Sequence, residues 1–290
     1  MEDEPQVAWG LKAELGEGPV WVERDQALWF VDIKKRQIHR FHPASGAKAS
    51  WTAPEPVGFL FPAESGGFVA GLRSGLYHFD ERAGTFEPIV KVEEDRPDNR
   101  LNDGAVDPHG RLWFGTMDDK EKSKTGGFYC FCEGRLIPTG IDGITITNGP
   151  AVSPDGRILY LVDTRKGRIE AADIREDGTL GPRRPFVRID PKEGHPDGPS
   201  TDAEGCVWIA LYGGWEARRY SPGGELLDRV RFPVANITKI ALGGPGLRTA
   251  YATTARQLLS PEQIAGQPDI GDLFQFPAMA PGAPCPLVRL

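Results

Sequence analysis

Short runs of alternating or continuous apolar residues, each closed by a polar turn, recur along the whole chain. Residues 28–38 read LWFVDIKKRQI and residues 159–169 read LYLVDTRKGRI, a shift of 131 positions. DPHGRLWFG at 107–115 returns as DAEGCVWIA at 202–210, a shift of 95. Runs of this length, rich in aromatic and β-branched residues and bounded by Gly, Pro, Asp and Asn, predict β-strands. Their units begin near Gly16, Val57, Asn102, Asn148, Asp197 and Asn236, a spacing of roughly 40–50 residues that matches propeller blades. The expected fold is therefore all-β: a six-bladed β-propeller occupying residues 1–290 as a single domain. VAWGLKAEL near the N-terminus is expected to add an outer strand to the last blade. A helical insertion is expected over roughly 258–266, and 278–290 reads as an irregular tail.

One tripeptide keeps step with these units. Glu17-Gly18-Pro19, Asn148-Gly149-Pro150 and Asp197-Gly198-Pro199 share it, and Asn102-Asp103-Gly104 is a near copy. Glu17 and Asn148 each precede an aromatic residue (Trp29, Tyr160) by 12 positions, and Asn102 and Asp197 precede theirs (Trp113, Trp208) by 11. Glu17 to Asn148 spans the same 131 positions as the strand repeat, and Asn102 to Asp197 the same 95. In a ring of repeats, equivalent positions converge on the axis. Two readings stand on spacing alone: the polar heads hydrogen-bond neighbouring units together, or they form a site. Converging carboxylates repel unless a positive charge lies between them, which favours a cation. Oxygen donors suit a hard or borderline divalent ion and lack the His/Cys set of structural zinc. Val57, Gly58 and Phe59 of the second unit are expected to give the mouth an apolar side, and Thr238 and Lys239 the contribution of the sixth.

Composition narrows the function. The chain of 290 residues has 34 Lys and Arg against 41 Asp and Glu, a formal charge of −7 without a basic block. Nucleic acid and anionic membrane surfaces are disfavoured as partners. MEDEPQVAWG has no basic segment leading into an apolar one, so no signal peptide is expected. Four cysteines without framework spacing point to the reducing cytoplasm. Cys130 and Cys132 share a strand face and are expected in the core. No nucleophile elbow or phosphate loop occurs. His195, two residues before Asp197, is a weaker candidate for the site. The acidic run from Asp118 to Glu121 is expected as a loop at the mouth. Nothing in the sequence bears on oligomeric state.

The stretches ELGEGPVW (14–21), LWFVDI (28–33), NRLNDGAVDPHGRLWFGTM (99–117), TNGPAVSPDG (147–156) and HPDGPSTDAEGCVWIALYGG (195–214) resemble the SMP-30/gluconolactonase/regucalcin family over nearly the whole chain. WFVDIK, RLWFGTM and the TTARxxLS segment at 253–260 resemble its bacterial sugar-acid lactonases most. The resemblance implies a six-bladed propeller with one divalent metal ion on the axis: calcium, zinc, iron(II), manganese or magnesium. The family's metal-binding residues fall on Glu17, Asn148 and Asp197, and its substrate-contacting ones on Arg100 and Asn102. Some members add a glutamate shortly after the G-T-M segment, which places Glu121 in that role. The implied reaction is hydrolysis of an aldonolactone, a pentono- or hexonolactone such as xylonolactone, with Asp197 serving as ligand and general base. The competing expectations are a calcium-binding propeller without turnover and a broader metal-dependent esterase.

Overall fold

Asp107 shows why the repeated turn reads as it does. Its carboxylate accepts from the amides of His109 and Arg111 at 2.9 and 3.1 Å, and from the Trp113 indole at 2.9 Å. Asp202 does the same for Glu204, Cys206 and Trp208 at 3.0, 3.0 and 3.2 Å. Gly110 and Gly205 then take φ of +80° and +78°, where a side chain is strained. One acid thus closes the turn and anchors the next strand's aromatic residue. Trp29, Trp113 and Trp208, together with Tyr160 and Tyr251, are almost completely buried. Aromatic side chains of this size bury roughly 150–250 Å² each and supply much of the core energy.

The computed structural model describes residues 4–290. The chain opens with β1 (Gln6–Trp9). β2 (Gly16–Val22), β3 (Ala27–Asp32), β4 (Gln37–His42) and β5 (Ala47–Thr52) pair in that order into an antiparallel sheet. So do β6 (Val57–Pro62), β7 (Phe68–Leu72), β8 (Gly75–Asp80) and β9 (Thr85–Lys91). A third sheet holds β10 (Asn99–Val106), β11 (Leu112–Asp118), β12 (Phe128–Cys132) and β13 (Arg135–Pro138). A fourth holds β14 (Thr147–Val152), β15 (Ile158–Asp163), β16 (Arg168–Asp173) and β17 (Arg184–Arg188). β18 (His195–Thr201), β19 (Val207–Tyr212), β20 (Glu216–Tyr220) and β21 (Leu226–Arg231) join β22 (Ile237–Gly243), β23 (Thr249–Thr254), β24 (Leu273–Pro277) and β1 in an eight-stranded sheet. Its halves meet through one parallel bridge, Gly198 to Lys239.

β2, β6, β10, β14, β18 and β22 contact one another in a closed cycle. Apolar clusters fill the spaces between successive sheets. One joins Trp29 and Val31 to Leu60 and Phe68, and another joins Phe59 and Val69 to Phe114 and Phe131. β1 pairs with β24 as the sequence predicts. The helix is α1 (Pro261–Ala265), shorter than expected, and a reciprocal capping box of Ser260 and Gln263 starts it. The tail from 278 forms no long strand; isolated bridges tie Gly282 to Asp202 and Val288 to Ala63. Cys130 is core, as expected, and Cys132 is half-buried. No helix among the described residues is long and apolar enough to cross a membrane.

Candidate functional site

At the tripeptides the strand register slips. Pairing of β2 with β3 skips between Glu17 and Val20, and that of β14 with β15 between Asn148 and Ala151. β10 and β18 slip between Leu101 and Gly104 and between Pro196 and Pro199. Three steps on the inner strand face two on its neighbour, which is a β-bulge. The bulge splits each motif between two ends of the ring. Glu17, Asn148 and Asp197 line a cavity of about 180 Å³. Pro19, Pro150 and Pro199 line a second one of about 330 Å³. Arg100, Asn102, Glu121 and His195 border the first cavity too, so the residues expected to bind metal and substrate meet there.

Glu17 and Asp197 are buried, 5% and 6% exposed. The Gly18 amide donates to the Glu17 carboxylate at 2.9 Å, and the Gly198 amide to that of Asp197. Neither enters an ion pair among the described residues; the pairs around them are Arg100–Asp119 and Lys239–Asp103. Burial, then the negative charge of Asp103, pushes the Glu17 carboxyl up to about 8. Burial, then Glu17 and Asp103, raises that of Asp197 well above the carboxylate range. Burial also lowers the Arg100 pKa, an effect its partner Asp119 opposes.

A side-chain chain runs along one wall. Arg100 Nη1 donates to Asn102 Oδ1 at 2.5 Å, and Asn102 Nδ2 donates to Asn148 Oδ1 at 2.9 Å. Asn148 Nδ2 in turn donates to Thr164 Oγ1 at 2.9 Å. With its NH₂ group so engaged, Asn148 keeps a second oxygen lone pair for a ligand. At the rim Asp118 accepts the amides of Lys120, Lys122 and Ser123 at 3.2, 3.0 and 2.8 Å. This folds the acidic run into a loop whose Glu121, at φ +57°, lines the cavity. Gln257 Nε2 donates to Glu121 Oε1 at 3.0 Å, and Arg165 lies 3.7 Å from Oε2.

The chemistry of this donor set fits a divalent cation. Two buried acids outside any ion pair and an amide oxygen face the same space, and a cation offsets both the burial and the repulsion that raise their pKa values. No group of three His, Cys, Asp or Glu side chains poised to hold a metal occurs among the described residues. The three residues that the sequence nominates for a metal are two acids and an amide.

Two expectations need correction. Val57 and Phe59 are fully buried in inter-sheet core, because β6 turns them away from the axis. Leu15, Met117, Ile146 and Leu258 supply the cavity's apolar lining instead. Lys239 lines the second cavity and pairs with Asp103, and Thr238 Oγ1 is bonded to the Gly16 carbonyl at 2.6 Å. The residue directly before glycine in the third unit is Asp103, which lies beneath the cavity wall while Asn102 borders it. Sequence reasoning missed Asp103, although its Asp-Gly step was the available signal. It also missed Tyr212, Thr164, Arg165 and Gln257, which lie outside the tripeptides.

The SMP-30/Gluconolactonase/LRE-like region model matches residues 15–256. The chain belongs to this family. A 6-deoxy-6-sulfogluconolactonase of Pseudomonas putida is 35% identical over 277 residues, covering 94% of each chain. An L-arabinolactonase of Azospirillum brasilense is 36% identical over 264 residues, 90% of this chain and 87% of its own. The crystal structure of a calcium-binding protein, regucalcin, from Agrobacterium tumefaciens superposes with a TM-score of 0.95 at 30% identity, covering 99% of this chain and 98% of the other. The two lactonases are by name hydrolases of an ester bond.

Proposed function

We propose that this family member hydrolyses a sugar lactone to its open acid at the cavity of a six-bladed β-propeller. Glu17, Asn148 and Asp197 would hold one divalent metal ion there. The observation that carries this reading is the pair of buried carboxylates, neither of them in an ion pair among the described residues, on a cavity also lined by a buried arginine. The lactonase relatives support the reaction class and the regucalcin neighbour supports a divalent ion.

A bound ion supplies Lewis acidity and balances negative charge. The protein's own groups do the rest. Ionised Asp197 takes the proton of an attacking water at its free carboxylate oxygen. Glu17 remains a charge-compensating ligand, and neutral Asn148 limits the negative charge of the set. Arg100 has Nε on Asp119 at 2.9 Å and Nη1 on Asn102, which leaves Nη2 to donate to a ring or carbonyl oxygen. Glu121 and Asn102 orient sugar hydroxyls, Glu121 as an acceptor. Arg100, Asn102, Glu121, Arg165 and Gln257 around the cavity favour a polyhydroxylated substrate over an aryl ester, while Leu15, Met117, Ile146 and Leu258 give it an apolar stretch of wall.

The deciding measurement is acid release from pentono- and hexonolactones by chelator-stripped protein, with single divalent ions added back. Metal-dependent turnover of one lactone is expected. Cation binding without turnover across the panel overturns the reading in favour of a calcium-binding propeller, for which the regucalcin neighbour speaks.

A further inference from the structure

Directly behind the two carboxylates lies a buried ion pair that neither substrate nor solvent explains. Lys239 Nζ stands 2.5 Å from Asp103 Oδ1 and 3.3 Å from the Gly104 carbonyl. Asp103 also accepts the amides of Gly104 and Gly149, at 2.7 and 3.0 Å. Both side chains are more than nine-tenths buried. The lysine stem reaches the pair by crossing Gly198, where a Cβ would sit 2.8 Å from its carbons. The glycine of the Asp197 tripeptide therefore makes room for this lysine. A buried ion pair adds little stability over an apolar pair of the same shape, and often none. Its presence calls for another reason.

Charge supplies one. Asp103 and Lys239 both act electrostatically on Glu17, and Asp103 also acts on Asp197. Away from the axis, Arg100 and Lys34 share Asp119, and Arg165 lies near Glu121. With Glu17, Asp197 and Asp103 negative and Lys239 positive, the axis carries a net charge of two negatives, the complement of one divalent ion. Without Lys239 it would carry three.

We propose that the Asp103–Lys239 pair sets the charge of the metal site, so that Lys239 is a positioning residue that makes the axis selective for divalent over trivalent cations. The inference rests on the metal reading above. One unit charge several ångströms away in a protein interior changes a binding constant on the order of ten- to a hundredfold.

Calcium and terbium(III) have similar radii and different charge, and calorimetric titration of chelator-stripped protein with each separates charge from shape. Asp103→Asn leaves one net negative charge, and calcium affinity should fall at least about tenfold, terbium affinity by more. Lys239→Met keeps the stem and removes the charge, so the terbium-to-calcium affinity ratio should rise by at least about tenfold. The double variant restores two negatives and should return both constants to near wild type, an outcome a purely structural role does not predict. If Lys239→Met does not fold, Asp103→Asn and the double variant still decide. Constants equal to wild type in the folded single variants overturn the proposal. A wild type that binds neither ion defeats the metal reading itself, and this proposal with it.

Discussion

Asn102 donates to the side-chain oxygen of Asn148 across 2.9 Å. A residue expected to grip substrate thus also aims a residue expected to hold the metal. Asn102 has its second N–H on the Thr147 carbonyl at 2.6 Å and its oxygen on Arg100. Asn102→Ala should therefore raise KM and weaken metal binding together, each by about tenfold, in line with the loss of an outer-shell partner. Parallel kinetics and metal titration check this, and a change in KM alone would return Asn102 to a purely substrate-facing role.

Asp197→Asn removes the general base while keeping the shape of the wall. Lactone turnover should fall by about 10²–10⁴-fold. The metal-free variant should melt no lower than wild type, since an acid that folding must keep protonated has been replaced by a neutral amide. Full activity would take Asp197 out of the mechanism.

Glu17 gives the metal-free protein a pH dependence of definite sign. Its carboxyl ionises near 4.5 when unfolded and is pushed up to about 8 when folded. Between these values the folded state holds a proton that the unfolded state has released, so stability falls as pH rises through the window. Asp197 acts in the same direction. Chelator-stripped wild type should lose several degrees of Tm between pH 5 and 8, and Glu17→Gln should lose less. Superimposable curves would count against a raised carboxyl at this position.

Gln257 holds Glu121 from the far side of the rim. Gln257→Leu should raise KM for the lactone by about tenfold, the worth of roughly one hydrogen bond to a charged group. It should leave calcium binding unchanged, because Gln257 touches none of the three ligands. Loss of calcium binding would place the residue differently.

Asp202 is a structural acid. It accepts from Trp208, from two turn amides and from Arg219 Nε at 2.7 Å, all without exposure of its own. Asp202→Ala leaves the Trp208 indole and two turn amides without their acceptor, while Arg219 keeps Glu204 and Asp228, and should cost about 2–4 kcal/mol, measured as a shift in the urea midpoint. A shift below 1 kcal/mol would show that water replaces the carboxylate.

The strands and their order were legible because the chain repeats one sentence: an acid closes a turn, and a buried aromatic residue follows. Glu17, Asn148 and Asp197 were legible because each precedes Gly-Pro at a fixed distance from that aromatic residue. Asp103 shares the Gly step, but spacing cannot say which side of a bulge faces which end of the ring. The same ambiguity misplaced Val57, Phe59 and Lys239. Gln257 comes from a stretch with no internal counterpart, and Arg165, whose repeat partner is Lys34, lies outside the tripeptides, so neither was marked by the recurrent polar heads. Only the folded chain brings them to Glu121.

The pairing of β1 with β24 joins Gln6 to Gln275. Synthesis runs from one of these residues to the other, so the sheet containing them stays unfinished until nearly the whole chain has left the ribosome. Until then the nascent protein carries an unpaired edge on β24's partner strand and an idle N-terminal ribbon. Joining ends this far apart has a loop-closure cost that grows only slowly with length, but it must come late. Closing of the ring is thus a late step, and the cavity lined from β2, β10, β14 and β18 takes its final form with it.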